Sequence, residues 1–122
     1  MNIDFEKIKK ECPKSYNGFV YDYVHNNYET DNIHCSDDQF FSECIDTDVI
    51  CFCDFVEFFD ENKMIISIIY DLCTDQKWYI VLDVNGSNYH YYPIGRMPSY
   101  NTRIEAQEAA IYKSFEIMEG IC

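Results

Sequence analysis

Residues 78–92 carry the sequence WYIVLDVNGSNYHYY, and this stretch decides the fold class. Asn85-Gly86 is a strong short signal for a β-hairpin, because both central residues of a type I′ turn need a positive φ. The stretch therefore predicts two antiparallel strands, Trp78–Val84 and Ser87–Tyr92. The β-branched run Met64–Tyr70 predicts another strand before them, so we expect a three-stranded antiparallel meander.

The two-residue turn fixes which side chains share a face of the meander. Ile80 and Leu82 point to the same side and are predicted to face the hydrophobic core. Tyr79 and Tyr92 become cross-strand neighbours on the opposite side. Two outcomes stay open for that side: the N-terminal helices cover it, or it presents an aromatic patch to a partner, since interfaces favour tyrosine.

Helical periodicity and capping signals predict helices on both sides of the strands. Apolar residues of the N-terminal half recur at the spacing of three and four that places them on one helix face. The predicted helices start near Asp4, Pro13, Ser36, Thr47 or Asp48, and Thr102, and the last helix ends near Glu119. The prediction is an α+β fold in a single domain, residues 1–122, with N-terminal helices, a three-stranded antiparallel β-meander and a long C-terminal helix packed on one sheet face.

The charge distribution is the strongest indication of function. Twelve carboxylates and no Lys or Arg lie between Ser15 and Asn62, and they supply most of a net charge of −13. Such a surface disfavours direct binding to nucleic acid or to anionic membranes, since both require clustered basic residues. Two interpretations stay open: the charge keeps an aromatic-rich protein soluble, or the acidic half binds a basic surface on another protein.

The second interpretation gives a set of candidate partner-binding residues. They combine acids of the N-terminal half with the two tyrosines of the outer sheet face: Asp22, Glu29, Asp31, Asp37, Asp38, Asp54, Glu57, Tyr79 and Tyr92. Their attraction to a basic partner should speed the encounter and should weaken as salt is added.

The seven cysteines provide a second candidate chemistry. No apolar run is long enough to span a membrane, and the N-terminus lacks the apolar segment of a secretory signal, so we expect a cytoplasmic protein with reduced thiols. Cys51 and Cys53 do not match zinc-finger spacing, and in a helix their side chains would diverge by about 200°. His34, Cys35 and Cys44 stay weak metal-ligand candidates, and no cofactor is expected.

Two segments resemble a known group of proteins. Asp54–Lys63 (DFVEFFDENK) leads directly into the isoleucine-rich strand, and Arg103–Glu119 carries RIEA followed by AIYKSFEIME. These segments are similar to small uncharacterised proteins of Bacteroidetes and their bacteriophages, in which Ala and Leu usually occupy the positions of Ser114 and Met118. The resemblance implies an α+β fold and a phage or mobile-element origin, and it brings no catalytic residue.

Three functional hypotheses follow. The leading one is a non-catalytic, acidic protein-binding module, for example a phage-encoded inhibitor of a basic host protein that handles nucleic acid or acts in defence. The second is a metal- or thiol-dependent protein that uses Cys and His residues of the N-terminal half. The third is a structural or scaffold subunit, in which a homo-oligomer would bury the face of Tyr79 and Tyr92.

Overall fold

The computed structural model describes residues 1–31, 33–72, 76–85, 87–89 and 99–120, and of residues 87–89 it describes the backbone. It confirms the α+β class, with helices, an antiparallel sheet and a C-terminal helix. Within these ranges the elements in chain order are α1 (Phe5–Glu11), α2 (Pro13–Asn27), α3 (Asp37–Cys44), a 3-10 turn (Thr47–Val49), α4 (Phe52–Glu61), β1 (Met64–Tyr70), β2 (Trp78–Val84), β3 (Ser87–Tyr89) and α5 (Arg103–Glu119).

The helix ends follow local capping chemistry. The Ser36 hydroxyl accepts the Gln39 backbone N–H at 3.1 Å, and the Thr102 hydroxyl accepts the Glu105 backbone N–H at 3.1 Å. Each bond satisfies one of the backbone donors that a helix start leaves without a partner. Gly120 ends α5 with a φ of 85°, the left-handed conformation that glycine adopts at no steric cost. These boundaries confirm the sequence-based predictions.

Helix α4 starts later than predicted. The Asp46 carboxylate accepts the Asp48 backbone N–H at 3.0 Å and supports the 3-10 turn. Val49, which the predicted start near Thr47 or Asp48 would place inside the helix, lies in the 3-10 turn and is 64% exposed. The helix begins at Phe52, and Cys51 is its N-cap residue with an extended backbone. A local side-chain bond at Asp46 therefore competes with the helix and delays it.

The core is centred on aromatic side chains that the helices share. Phe19 of α2 is 1% exposed and stacks on Phe55 of α4, with ring centroids 4.7 Å apart and an interplanar angle of 8°. Phe41, Phe58 and Phe115 approach the Phe19 ring edge-on. Stacked and edge-to-face pairs of this kind add stabilisation beyond the burial of their area, so α2 is the helix around which the others assemble.

The sheet is antiparallel. Strands β1 and β2 pair antiparallel from Met64 opposite Val84 to Tyr70 opposite Trp78, and β3 pairs with the end of β2. Ile80 and Leu82 are buried, as predicted for the core face. The predicted part of the third strand beyond Tyr89, including Tyr92, lies outside the described residues.

Helix α5 contacts α2, β1 and β2 through a buried stripe. Ala106, Ala110, Ile111 and Phe115 are each fully buried. Ile104 lies outside this stripe and is 51% exposed, since residues 101–105 are all at the surface. None of the helices in the described ranges is both long and apolar enough to cross a membrane.

Candidate functional site

A groove between α2 and α4 is the main candidate site. It has a volume of about 360 Å³. The two helices contribute side chains at spacings of three and four, which places them on facing sides. The residues that line it, named here the acidic groove, are Asp22, Tyr23, Asn26 and Asn27 from α2 and Asp54, Glu57, Phe58 and Glu61 from α4.

The acidic groove concentrates negative charge. Four of its eight lining residues are carboxylates, and none is Lys or Arg. A hydrogen bond with Asp22 raises the pKa of Glu61 above its ordinary 4.5, and partial burial and the charges of Asp22, Glu57 and Asp60 act in the same direction. Glu61 therefore holds its proton more tightly than an isolated carboxyl group does, because the neighbouring acids disfavour a further negative charge.

Two aromatic side chains give the groove an apolar floor. Phe58 is 5% exposed and packs edge-on against Phe19, with ring centroids 5.4 Å apart. Tyr23 packs against the same Phe19 ring at 5.9 Å, and burial raises the pKa of its hydroxyl. Behind its carboxylates, the acidic groove is therefore backed by aromatic side chains of the core.

The structure brings together three of the predicted partner-binding acids. Asp22, Asp54 and Glu57 all line the acidic groove. Glu61 also lines the groove, although it was not among the predicted partner-binding residues because it lies at the end of α4. The spacing of Asp54, Glu57 and Glu61, three and four residues apart, was the sequence signal that all three share one helix face.

Asp37 and Asp38 have protein partners instead. Lys9 of α1 donates to Asp38 at 2.6 Å, and the Tyr16 hydroxyl donates to the other Asp38 oxygen at 2.7 Å. The hydrogen bond from Lys9 is the main reason why the pKa of Asp38 is lowered. Asp37 lies 3.2 Å from His25. The acidic stretch contains no Lys or Arg of its own, but Lys9 reaches Asp38 from outside the stretch.

The other predicted partner-binding residues lie apart from the groove. Glu29 and Asp31 are exposed and follow the end of α2. Tyr79 lies on β2 opposite Ile69, on the sheet face that also exposes Ile65 and Ile69, at 51% and 48%. This face is the one expected to form an aromatic patch, and its second tyrosine, Tyr92, is outside the described residues.

A cluster of metal-ligand types lies at the start of α4. The sulfur atoms of Cys51 and Cys53 are joined as a disulfide, with the Cα atoms 5.4 Å apart. One ligand atom from each of Cys51, Cys53 and Asp54 falls within 4.8 Å of the others. The divergence predicted for two helical cysteines does not apply, because Cys51 precedes the helix and has an extended backbone. The expectation of reduced thiols fails for this pair.

The weak metal candidates do not form a comparable cluster. In the described part of the chain, His34, Cys35 and Cys44 belong to no group of three ligand atoms within 4.8 Å of one another. Cys44 is an exposed free thiol and Cys35 a half-buried one. Cys12 is buried, and burial raises its pKa, so it is a small core side chain and not a nucleophile.

Comparison of the chain with protein-family models, with curated proteins and with solved structures finds no match. The phage or mobile-element origin implied by the two quoted segments stays a prediction. The acidic groove and the Cys51–Cys53 cluster are the features of the structure that bear on function.

Proposed function

We propose that the protein is a non-catalytic binding module whose acidic groove takes a Lys- or Arg-rich segment of another protein. One observation carries the proposal: carboxylates from two helices converge on one groove, and no Lys or Arg among the described residues lines it. Asp22 and Glu61 are close enough to repel each other when both are ionised. An incoming cation removes that repulsion and gains attraction at the same time.

The chemistry of the groove selects the kind of segment. Asp22, Asp54, Glu57 and Glu61 supply acceptors, while the half-buried Tyr23 supplies aromatic surface. A guanidinium group fits this combination better than an ammonium, since it donates two parallel hydrogen bonds to a carboxylate and also stacks on rings. We therefore expect Arg-containing segments to bind more tightly than Lys-containing segments of equal charge.

The class of partner follows from the same electrostatics. Surfaces rich in Arg and Lys are typical of proteins that handle nucleic acid, so a protein of this class is the proposed partner. The narrower hypothesis, a phage-encoded inhibitor of such a host protein, is supported by the resemblance of the two quoted segments. Direct binding of nucleic acid or of an anionic membrane stays disfavoured by the charge of −13.

Binding to synthetic peptides tests the proposal. A nine-residue Arg-rich peptide, titrated by isothermal calorimetry, should bind with an affinity that falls steeply between about 50 and about 300 mM salt, which are roughly one third and twice the physiological ionic strength. The variant Asp22→Asn/Glu57→Gln/Glu61→Gln should lose this binding. The matched control removes three charges elsewhere, by Glu6→Gln/Glu11→Gln/Glu43→Gln. Equal losses in the two variants would show that net charge, and not the groove, attracts the peptide.

The scaffold hypothesis is supported by a different surface. The outer face of β1 exposes Ile65 and Ile69, and exposed apolar side chains on a sheet favour contact with a second copy. We infer that the sheet is the full three-stranded meander, with α5 on its other face; the pairing of β3 with β2 supports this. Light scattering tests the hypothesis by comparing the molar mass of the parent chain with that of the double variant Ile65→Lys/Ile69→Lys. A dimer formed through this face should dissociate in the variant, whereas a monomeric parent chain should give the same mass as the variant.

A further inference from the structure

The start of α4 places two sulfur atoms and a carboxylate at one point of the surface. Cys51 is the N-cap residue, with φ −102° and ψ 167°, and Cys53 is the second residue of the helix. The change from extended to helical backbone turns both side chains to the same side. Cys51 and Cys53 are both exposed, so the cluster is open to solutes.

Asp54 is held beside the sulfurs by the helix start. Its Oδ2 atom accepts the Cys51 backbone N–H at 2.9 Å and lies 3.3 Å from Cys51 Sγ. The carboxylate therefore has a fixed position before any ligand arrives, which lowers the entropic cost of using it as a ligand. The side chain also lines the acidic groove, so negative charge continues from the cluster into the groove.

We propose that Cys51, Cys53 and Asp54 form a binding site for one thiophilic divalent cation, such as Zn²⁺, when the two cysteines are reduced. Thiolates and a carboxylate are ligands that Zn²⁺ takes in proteins, with water completing a tetrahedral shell. Tetrahedral coordination at a Zn–S distance of 2.3 Å places two sulfurs about 3.8 Å apart. Both side chains are exposed and reach that separation by rotation about χ1.

The disulfide is the alternative state of the same site. A thiol reductant such as dithiothreitol gives its two electrons and two protons to the Cys51–Cys53 bond, which yields two thiols and cyclic oxidised dithiothreitol. Zn²⁺ then replaces the two thiol protons, which go to solvent. The disulfide closes a loop with a single intervening residue, so it restricts the unfolded chain little, and its exposure leaves it open to reduction.

Metal titration of the reduced protein tests the proposal. Zn²⁺ binding is followed with a chromophoric competitor, and Co²⁺ binding is followed by the thiolate charge-transfer absorption. The reduced parent chain should bind one equivalent, and the oxidised chain should bind at least tenfold more weakly. Cys51→Ser and Cys53→Ser should each weaken binding at least tenfold and should abolish the charge-transfer band. Asp54→Asn should weaken binding less and keep the band.

Cys44→Ser is the matched control, because Cys44 is an exposed free thiol outside the cluster. It should bind Zn²⁺ as the parent chain does. The proposal is overturned if the reduced parent chain binds no Zn²⁺, or if Cys44→Ser lowers the affinity as much as Cys51→Ser. Asp22→Asn, a groove variant, should keep the metal affinity while it weakens peptide binding, so the metal site and the proposed function fail independently.

Discussion

Carboxylates from one stretch of chain occupy two regions with opposite surroundings. At the junction of α1, α2 and α3, Asp38 receives hydrogen bonds from Lys9 and Tyr16, and its pKa is lowered. In the acidic groove, Glu61 faces Asp22, and its pKa is raised. The first region stabilises the fold with a charge that is already neutralised. The second lacks a neutralising group among its lining residues, which is what a binding site for a cation requires.

Glu119, at the end of α5, resembles Asp38 because it also accepts hydrogen bonds from the same chain. Its Oε1 atom accepts the Ser15 backbone N–H at 2.8 Å and the Ser15 hydroxyl at 2.9 Å. Glu119 thereby caps the start of α2 from the end of α5, and these bonds lower its pKa. Whether an acid of this molecule stabilises the fold therefore depends on whether it accepts hydrogen bonds from donors of the same chain.

The largest effect on stability is expected at Asp38. Asp38→Ala should lower the free energy of unfolding by about 1–3 kcal/mol, because the Tyr16 hydroxyl, on a side chain 2% exposed, loses its acceptor. The exposed Lys9 pair adds little to this. Urea denaturation at pH 7 measures the change. Because the pKa of Asp38 is lowered, its contribution is complete above the ordinary value of 3.8 and is lost as the pH falls through the lowered pKa.

Asp22→Ala is the matched control for Asp38→Ala. It removes the same carboxylate from a helix, but in the acidic groove, where it relieves the repulsion with Glu61. We expect unchanged or slightly higher stability together with weaker peptide binding. Equal losses of stability in the two variants would contradict the division of the acids into two regions.

A second effect is expected at Glu119. Glu119→Gln should destabilise the protein at neutral pH, by less than Asp38→Ala, because a neutral amide accepts the two Ser15 hydrogen bonds less strongly than a carboxylate. The lowered pKa of Glu119 means that the difference from the parent chain is full above the ordinary value of 4.5 and shrinks as the pH falls below it. Thermal unfolding at several pH values measures this difference, with Glu11→Gln as the control; a difference that does not depend on pH would argue against the capping role.

A stabilising change is expected beneath the groove. Gly18 lies in the middle of α2, and a Cβ atom there would lie 3.5 Å from Cζ of Phe58, an ordinary van der Waals contact. Gly18→Ala should therefore raise the free energy of unfolding by about 0.5–1 kcal/mol through helix propensity. Peptide affinity should stay the same, since the substitution lies under the floor of the groove. Loss of stability in urea denaturation would mean that α2 and α4 cannot make room for a methyl group.

The smallest effect is a pKa shift at Glu61. Titration of the side-chain carboxyl carbons by NMR should place Glu61 above 4.5 in the parent chain and closer to 4.5 in Asp22→Asn. Since the folded state holds this proton more tightly, Glu61 favours folding more as the pH falls through its raised pKa. Peptide affinity should decline over the same pH range, because protonation removes a charge from the groove. A Glu61 pKa that Asp22→Asn leaves unchanged would remove the evidence that the two acids interact.

Local rules predicted much of the fold. The caps at Ser36 and Thr102 and the glycine that ends α5 depend on residues within four positions of one another. The register of β2 and β3 depends on the two-residue turn at Asn85. Where a nearby side chain competed with the helix pattern, as Asp46 does, the predicted start of α4 was wrong.

The candidate site depends on contacts between distant elements, which periodicity does not report. Spacing shows that Asp54, Glu57 and Glu61 share a face of α4, but only the packing of α2 brings Asp22 opposite them. Lys9 and Glu119 lie far in sequence from the residues that they pair with. The convergence of Cys51 and Cys53 requires a helix boundary between them, and the sequence pattern placed that boundary several residues too early.

The most direct test of the central claim is an amide NMR titration of the protein with an Arg-rich peptide at low salt. We expect the shifts to concentrate on the residues of the acidic groove, with Asp22, Tyr23, Glu57 and Glu61 among the largest, and residues near Asp38 and Glu119 to change little. Shifts spread evenly over every exposed acid, or centred on Glu29 and Asp31, would contradict the claim that the groove between α2 and α4 is the binding site.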